Sequence, residues 1–422
     1  MKKFLPPSLI LLLLLLPGCA QRQPIQFQIQ ANYTVHDPQF MTTMAGLLCA
    51  APEGGNEIRT YSNGDEIFPA MLDAIAGAKK TITFEIYSYE KGKIGKTFAD
   101  AFAARARAGV RVHILADAVG AATMESSWAT QMQAAGVQFH VYHPFKPFDP
   151  ASYPKMEHRT HRKLLVIDGQ VGFIGGVGIG DEWTGHAQDP DHWRDNCYRV
   201  TGPAVAQLQA AFAENWIDTT GIVLQGSDYF PALAATQGGV TAQVFRNSSG
   251  SGGSETMQLL FLLSIAAAGE HVRLETPYFV PDSQTTQYFL DARKRGVMIE
   301  VIVPGKYIDV SMVRDASRAK WGKLLEAGVA IYEFQPTMIH SKLMIVDDIW
   351  TSVGSSNLDN RSFGLNSEAN LNVYDKRFAA QQVQLFEADK SRSLRITYDE
   401  WKHRPWPEKM QNALARPISP EL

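Results

Sequence analysis

The run His161-Arg162-Lys163-Leu164-Leu165-Val166-Ile167-Asp168 returns later as His340-Ser341-Lys342-Leu343-Met344-Ile345-Val346-Asp347. The pattern H-x-K-x4-D therefore occurs twice, each time before a turn of small residues: Gly175-Gly176 in one copy, Gly354-Ser355-Ser356-Asn357 in the other. In an extended chain, residues two apart project from the same face. Each copy thus places an imidazole beside an ammonium group. The surroundings repeat as well. Arg107-Ala108-Gly109-Val110 corresponds to Lys294-Arg295-Gly296-Val297, and Ala135-Gly136-Val137 to Ala327-Gly328-Val329. Nearly constant separation between such pairs predicts a duplicated unit and a phosphoryl-transfer site assembled from two halves.

Within each copy, β-rich runs alternate with helical stretches. The strands Thr81 to Tyr87 and Val112 to Ala116 alternate with Ile94 to Ala108 and Met124 to Ala135. In the second copy Val272 to Thr276 and Ile299 to Val303 are the matching strands. This alternation predicts an α/β fold with a mixed, largely parallel sheet and helices on both faces. A glycine after each helix and before each strand fits a left-handed helix end. The glycine-rich run Asn247 to Ser254 reads as a loop near the start of the second copy. The expected organisation is a leader at 1–19, a patternless tether at 20–57, a first half at 58–230 and a second half at 231–422.

The leader has Lys2 and Lys3, an apolar run ending at Leu16, and then Pro17-Gly18-Cys19. That is the layout of a secretory signal, too short to span a bilayer. Leu16-Pro17-Gly18-Cys19 resembles the lipobox of bacterial lipoproteins, which makes Cys19 a candidate for acylation. A plain signal or short anchor with an incidental cysteine is the alternative. Cys49 and Cys197 either form a disulfide or stand as separate thiols. A net charge of −3 over 422 residues gives no global field for holding nucleic acid, so anion binding has to be local.

Phosphodiester exchange without a metal needs a nucleophile, an acid for the leaving alkoxide and cations for the phosphoryl oxygens. His161, His340, Lys163 and Lys342 supply that set. Each histidine also needs an acceptor on its second ring nitrogen. Asp195 follows His161 in the first half and Glu368 follows His340 in the second, both placed to return on a neighbouring strand. Asp168 and Asp347 complete the motif but close a strand, where aspartate often anchors a turn. His158 stands at HxxH spacing to His161, but a metal site there lacks further ligands.

These paired motifs resemble those of the phospholipase D superfamily. Asn63-Gly64-Asp65-Glu66 with Phe68-Pro69, Gly180-Asp181-Glu182-Trp183, Trp193-Arg194-Asp195, Gly202-Pro203-Ala204-Val205, Thr276-Pro277-Tyr278-Phe279-Val280-Pro281-Asp282 and Gly354-Ser355-Ser356-Asn357-Leu358-Asp359-Asn360-Arg361-Ser362 resemble its bacterial cardiolipin synthase branch. The similarity runs from about residue 58 to the C-terminus. The resemblance implies two pseudo-symmetric α/β/α halves with the active site at their interface. It implies transfer of a phosphatidyl group through a histidine, without cofactor or metal. Anionic phospholipids would be substrates, at a membrane surface of the bacterial envelope facing the periplasm. On this reading His161 is the nucleophile and His340 the acid and base, although pseudo-symmetry permits the reverse. Lys163, Lys342 and Asn357 would face the phosphate. The first-half turn departs from the family pattern, with Gly178 where asparagine is usual; Asn196 is a possible substitute.

Arg159 and Arg162 are candidates for meeting anionic headgroups. The stretches Phe139 to Tyr153 and Val310 to Leu325 set aromatic and apolar residues beside cations, which suits a bilayer interface as well as an ordinary loop and a helix core. A hydrolytic phospholipase D or nuclease would use the same site with water. A lipid-binding envelope protein on a retired scaffold is the rival from another class.

Overall fold

The computed structural model describes residues 25–145, 148, 149, 152, 154–248 and 256–415. The leader with Cys19, Lys146 and Tyr153 of the aromatic stretch, and most of the glycine-rich loop lie outside the described residues. In the first half the strands are β1 (Glu53–Ser62), β2 (Thr81–Ile86), β3 (Arg111–Asp117), β4 (Gln138–Tyr142), β5 (Arg159–Thr160), β6 (Leu164–Ile167), β7 (Val171–Gly175) and β8 (Asn196–Thr201). The second half has β9 (Val240–Asn247), β10 (His271–Glu275), β11 (Met298–Pro304), β12 (Ala330–Phe334), β13 (Leu343–Val346), β14 (Trp350–Gly354), β15 (Asn366–Tyr374) and β16 (Ser393–Ile396).

The order across the sheet is β4-β3-β2-β6-β7-β8-β1 and then, continuing through β9, β15-β14-β13-β10-β11-β12-β16. The second half repeats the first in reverse. A pseudo-twofold axis therefore passes between β1 and β9, which pair antiparallel. The two halves form one sheet and share one apolar layer, with Leu164, Ile174 and Val200 packed among Ile345, Val353 and Leu371. Each half also has its own core on the opposite face, under the helices Asn63–Gly77 and Lys93–Arg107 in the first and Thr256–Ala267 and Ser283–Lys294 in the second. Helix-to-strand turns at Gly109 and Gly296 carry φ of 88° and 93°, the left-handed conformation for which glycine has no steric penalty.

The sheet is mixed, but less parallel than the alternation of elements predicts. Within the long ladders, parallel pairing is confined to β2-β3-β4 and β10-β11-β12 among the described residues. The motif strands instead fold straight back, β6 on β7 and β13 on β14. A two- or three-residue turn can join only antiparallel strands.

Asp168 and Asp347 make those turns. Both have positive φ, at 53° and 51°. Asp168 accepts from the backbone N–H of Lys79, Lys80 and Thr81 at 2.7–2.9 Å. Asp347 accepts from Gly269, Glu270 and His271 at 2.7–2.8 Å. Neither lies at the cavity described below, so their grouping with the reacting residues is corrected: they tie each motif strand to the entry of β2 or β10.

The expected tether is folded from residue 25 onward. Phe40, Met44 and Leu48 recur at a spacing of four, a helical stripe. The helix Pro38–Leu47 buries Phe40 and Met44 in the second-half core, with Phe40 edge-on to Trp350 at 5.8 Å. Cys49 is exposed and Cys197 buried, and both are free thiols. No described helix is long and apolar enough to cross a membrane.

Candidate active site

Both motif histidines sit at the cavity end of their strands because the backbone there is hooked across the axis. β5 pairs with the start of β15, and the His161 N–H donates to Ser367 O at 2.9 Å. In the same way the Arg194 N–H donates to Met338 O at 2.9 Å and the His340 N–H to Arg194 O at 2.7 Å. Each histidine is thereby placed beside the segment that carries the other half's carboxylate.

The side chains follow. His161 Nδ1 lies 3.0 Å from both carboxylate oxygens of Glu368. His340 Nδ1 lies 2.8 Å from Asp195 Oδ2. The order of residues in the sequence pairs Asp195 with His161 and Glu368 with His340; the structure exchanges these partners. The ends of β8 and β15 approach the axis, so each acceptor reaches over it rather than back along its own half.

Lys163 and Lys342 both donate to the carbonyl of their own histidine, at 2.8 and 2.7 Å. Lys163 Nζ also lies 5.3 Å from the centre of the Tyr87 ring. Lys342 Nζ instead sits against its own imidazole, 3.0 Å from His340 Nε2. All four groups are at least nine-tenths buried. Burial disfavours charge and, with Lys163 opposing Glu368, takes the His161 pKa down to about 4. Burial and Lys342 lower His340 as well. Burial and their mutual repulsion bring Lys163 to about 7, and burial brings Lys342 to about 8. Burial works against ionisation of Glu368 and Asp195, but the histidines and lysines outweigh it and hold both carboxyls below their ordinary values. At neutral pH the free site therefore holds neutral imidazoles oriented by carboxylates. With Nδ1–H given to the carboxylate, Nε2 keeps the lone pair.

A cavity of about 530 Å³ opens onto this group and is lined by His161, Lys163, His340, Asn357, Tyr87, Tyr278 and the indoles of Trp183 and Trp193. Asn357 is buried, with its Oδ1 unpartnered among the described residues. Gly178 is not among the residues lining the cavity. A Cβ there would come within 2.8 Å of the Trp183 ring, so the indole occupies the space of the absent side chain. Trp183 Nε1 donates to Asp195 Oδ2 at 3.2 Å, and its ring is edge-on to His340 at 5.4 Å. Asn196 is not among the residues lining the cavity, and its Oδ1 accepts from Ser62 Oγ and Arg194 Nη1.

Arg162 is fully buried and bonds Glu214, Ala211 O and Asn247 O, so it is structural rather than headgroup-facing. Arg159 lines the cavity but is tied to His143 O and Lys155 O. His158 Nδ1 faces Leu365 O. Among the described residues, no group of three or more His, Cys, Asp or Glu is placed to hold a metal ion. Sequence reasoning gave no role to Tyr87, Ser355, Ser362 and Trp183. Ser355 and Ser362 both donate to Glu368, at 2.5 and 2.8 Å. Ser355, Ser362 and Trp183 stand in runs that carry the family resemblance, and that is the signal by which they could have been found.

The family model described as "Cardiolipin synthase, PLD-like domain" matches residues 71–216 and 262–390. The chain is 35% identical over 371 residues to cardiolipin synthase 2 of Bacillus anthracis, covering 87% of this chain and 71% of that protein. It is 30% identical over 408 residues to the major cardiolipin synthase ClsA of Bacillus subtilis, covering 95% and 82%. Among solved structures, phosphatidylserine synthase from Haemophilus influenzae superimposes with a TM-score of 0.65 at 15% identity, covering 91% of this chain and 100% of that one. That last likeness is one of fold.

Proposed function

This chain belongs to the cardiolipin synthase family of phospholipase D-like proteins, and on that premise we propose that it transfers a phosphatidyl group from one phospholipid to the headgroup alcohol of another. The donor is phosphatidylglycerol, the acceptor phosphatidylglycerol or a second phospholipid, and the product cardiolipin. His161 Nε2 attacks phosphorus, and the leaving alkoxide takes a proton that the Lys342 ammonium supplies through His340 Nε2. The phosphatidyl group is then held on His161. His340 next removes the proton of the incoming hydroxyl, whose oxygen attacks phosphorus and releases His161. Lys163, Lys342 and Asn357 hold the phosphoryl oxygens. Glu368 balances the positive imidazolium that forms when His161 is phosphorylated.

The observation that supports this reading is the reciprocal pairing of two buried imidazoles with carboxylates across one axis, above a single cavity. The choice of nucleophile is supported by the asymmetry of the lysines. An ammonium 3.0 Å from Nε2 gives His340 a proton source, while Lys163 is turned toward Tyr87. The leader at 1–19 supports a place in the bacterial cell envelope, with Cys19 as the point of acylation; Cys19→Ser would then remove the acyl mass from the N-terminal peptide and weaken, without abolishing, the hold on membranes.

The test is incubation of the purified full chain with labelled phosphatidylglycerol, with and without phosphatidylethanolamine, and mass analysis of the lipids. Cardiolipin is the expected product. Phosphatidic acid alone would make the protein a hydrolase, and an unchanged substrate would end the catalytic reading.

A further inference from the structure

The mouth of the cavity is unusually apolar for a site built of charges. The loops that follow β3 and β11 are equivalent under the pseudo-twofold axis, and both end at the cavity. One brings Val119, 56% exposed, and the other Val310, 43% exposed; Met312, 45% exposed, follows in the first turn of the helix Ser311–Glu326. A third element has no counterpart. Between β4 and β5 the first half runs on from His143 to His158, whereas the second half passes from Phe334 to His340 within a few residues. The base of the longer loop is closed by His143 Nδ1 on His158 O and by Arg159 on His143 O, at 2.9 Å each. Its end lines the cavity through Met156 and Glu157. Its described outer part holds Phe145, 50% exposed, and Phe148, 99% exposed. A phenylalanine left wholly in water forgoes the apolar burial that favours such a side chain.

We propose that these residues, Phe145, Phe148, Met156, Val119, Val310 and Met312, form a rim that enters the bilayer and seats the cavity mouth on it. This rests on the phospholipid reading above: a donor held at the histidines keeps its acyl chains in the membrane only if the mouth touches it. The occupant is a lipid surface rather than a peptide because Val119, Met156 and Val310 line the opening through which the substrate passes, with the exposed Phe145, Phe148 and Met312 close to them in the chain. The charges lining the cavity nearly balance, three basic side chains, Arg159, Lys163 and Arg361, against four acidic ones, Glu90, Glu157, Asp309 and Asp359. Seating is therefore driven by apolar burial and depends little on salt or on anionic lipid.

The test uses the full chain with Cys19→Ser and Cys49→Ser, so that a single introduced cysteine can carry an environment-sensitive fluorophore. Phe148→Cys and Met312→Cys probe the rim. Lys79→Cys, beside the backbone that Asp168 ties at the far end of the motif strand, is the control. On phosphatidylcholine vesicles, with or without phosphatidylglycerol, the rim labels should shift to the blue and be quenched by lipids carrying a shallow quencher. The control should not respond, and high salt should leave the signals unchanged. A rim label that stays in water overturns the proposal, as does failure of the chain to associate with vesicles. Separately, Phe145→Ser with Phe148→Ser should lower turnover on vesicles about tenfold and leave turnover of dissolved short-chain lipid within about twofold. Equal loss on both substrates would contradict the rim. Wild-type chain inactive on both would sink the transfer reading, while the fluorophore arm would still decide whether the rim enters the bilayer.

Discussion

The two half-sites share a backbone and differ in their walls. Around His161 the wall is polar apart from the Tyr87 ring, edge-on at 5.2 Å: Glu368 receives Ser355, Ser362 and, at 3.4 Å, Asn366 as well as the imidazole. Around His340 the wall is aromatic: Asp195 receives the Trp183 indole, and Trp193 lies 5.7 Å from the imidazole. The difference traces to the turns after the motif strands. Ser355 and Asn357 in one copy stand where the other has Gly176 and Gly178. A Cβ on Gly176 would come within 2.6 Å of Asp195 Oδ1, and Gly178 leaves room for Trp183. Duplication preserved the imidazole, its carboxylate and its ammonium. It left free the groups that decide what each imidazole meets on its open side.

The strongest break in the comparison is chemical. His161→Ala and His340→Ala should each lower turnover by at least about 10³-fold. Only His340→Ala should accumulate a lipid–protein adduct. Glu368→Gln and Asp195→Asn should each cost about 10²-fold in kcat, because an amide holds the ring but does not balance its charge. If the exchange across the axis is right, Glu368→Gln should add little to His161→Ala in a double-mutant cycle, and Asp195→Asn little to His340→Ala. The opposite couplings would restore the pairing within each half.

Acidity offers a finer contrast. The imidazole of His161 is neutral above about 4, and Lys163 loses its proton as pH rises through about 7, Lys342 through about 8. The ammonium form is the acid form, so kcat/KM for the free protein should fall on the alkaline side from about pH 7. Lys163→Arg keeps a charge at all accessible pH and should move that limb up to about 8, where Lys342 titrates. An alkaline limb unmoved by this change would remove Lys163 from it.

Smaller effects separate the walls. Gly178→Ala forces the Trp183 ring aside and should lower stability by about 1–3 kcal/mol, read as a fall in Tm. Ser355→Ala removes one donor from Glu368 and should cost about 3–10-fold in kcat with Tm nearly unchanged. A large Tm loss would make that hydroxyl structural instead.

Much of this was legible in the sequence, for identifiable reasons. Duplication shows in spacing, and the histidine–lysine faces follow from strand geometry. The exchange of Glu368 and Asp195 was not legible, because each lies downstream of the histidine in its own half and only the three-dimensional path of β8 and β15 carries it over the axis. Gly178 shows that a side chain is missing but cannot show that Trp183 takes the space. The helix at Pro38–Leu47 was legible in the stripe Phe40, Met44 and Leu48; the leader and turn residues around it hid that period. Asp168 and Asp347 illustrate the reverse case, where a motif position serves the fold: their partners are backbone amides of a strand far off in sequence.

The most direct test of the paired-imidazole account is to quench His340→Ala protein in acid after brief exposure to phosphatidylglycerol labelled in its acyl chains, then map the label by peptide mass analysis. The account predicts a phosphatidyl group on His161. Label on any other residue, or a protein that turns over without ever carrying label, would contradict it.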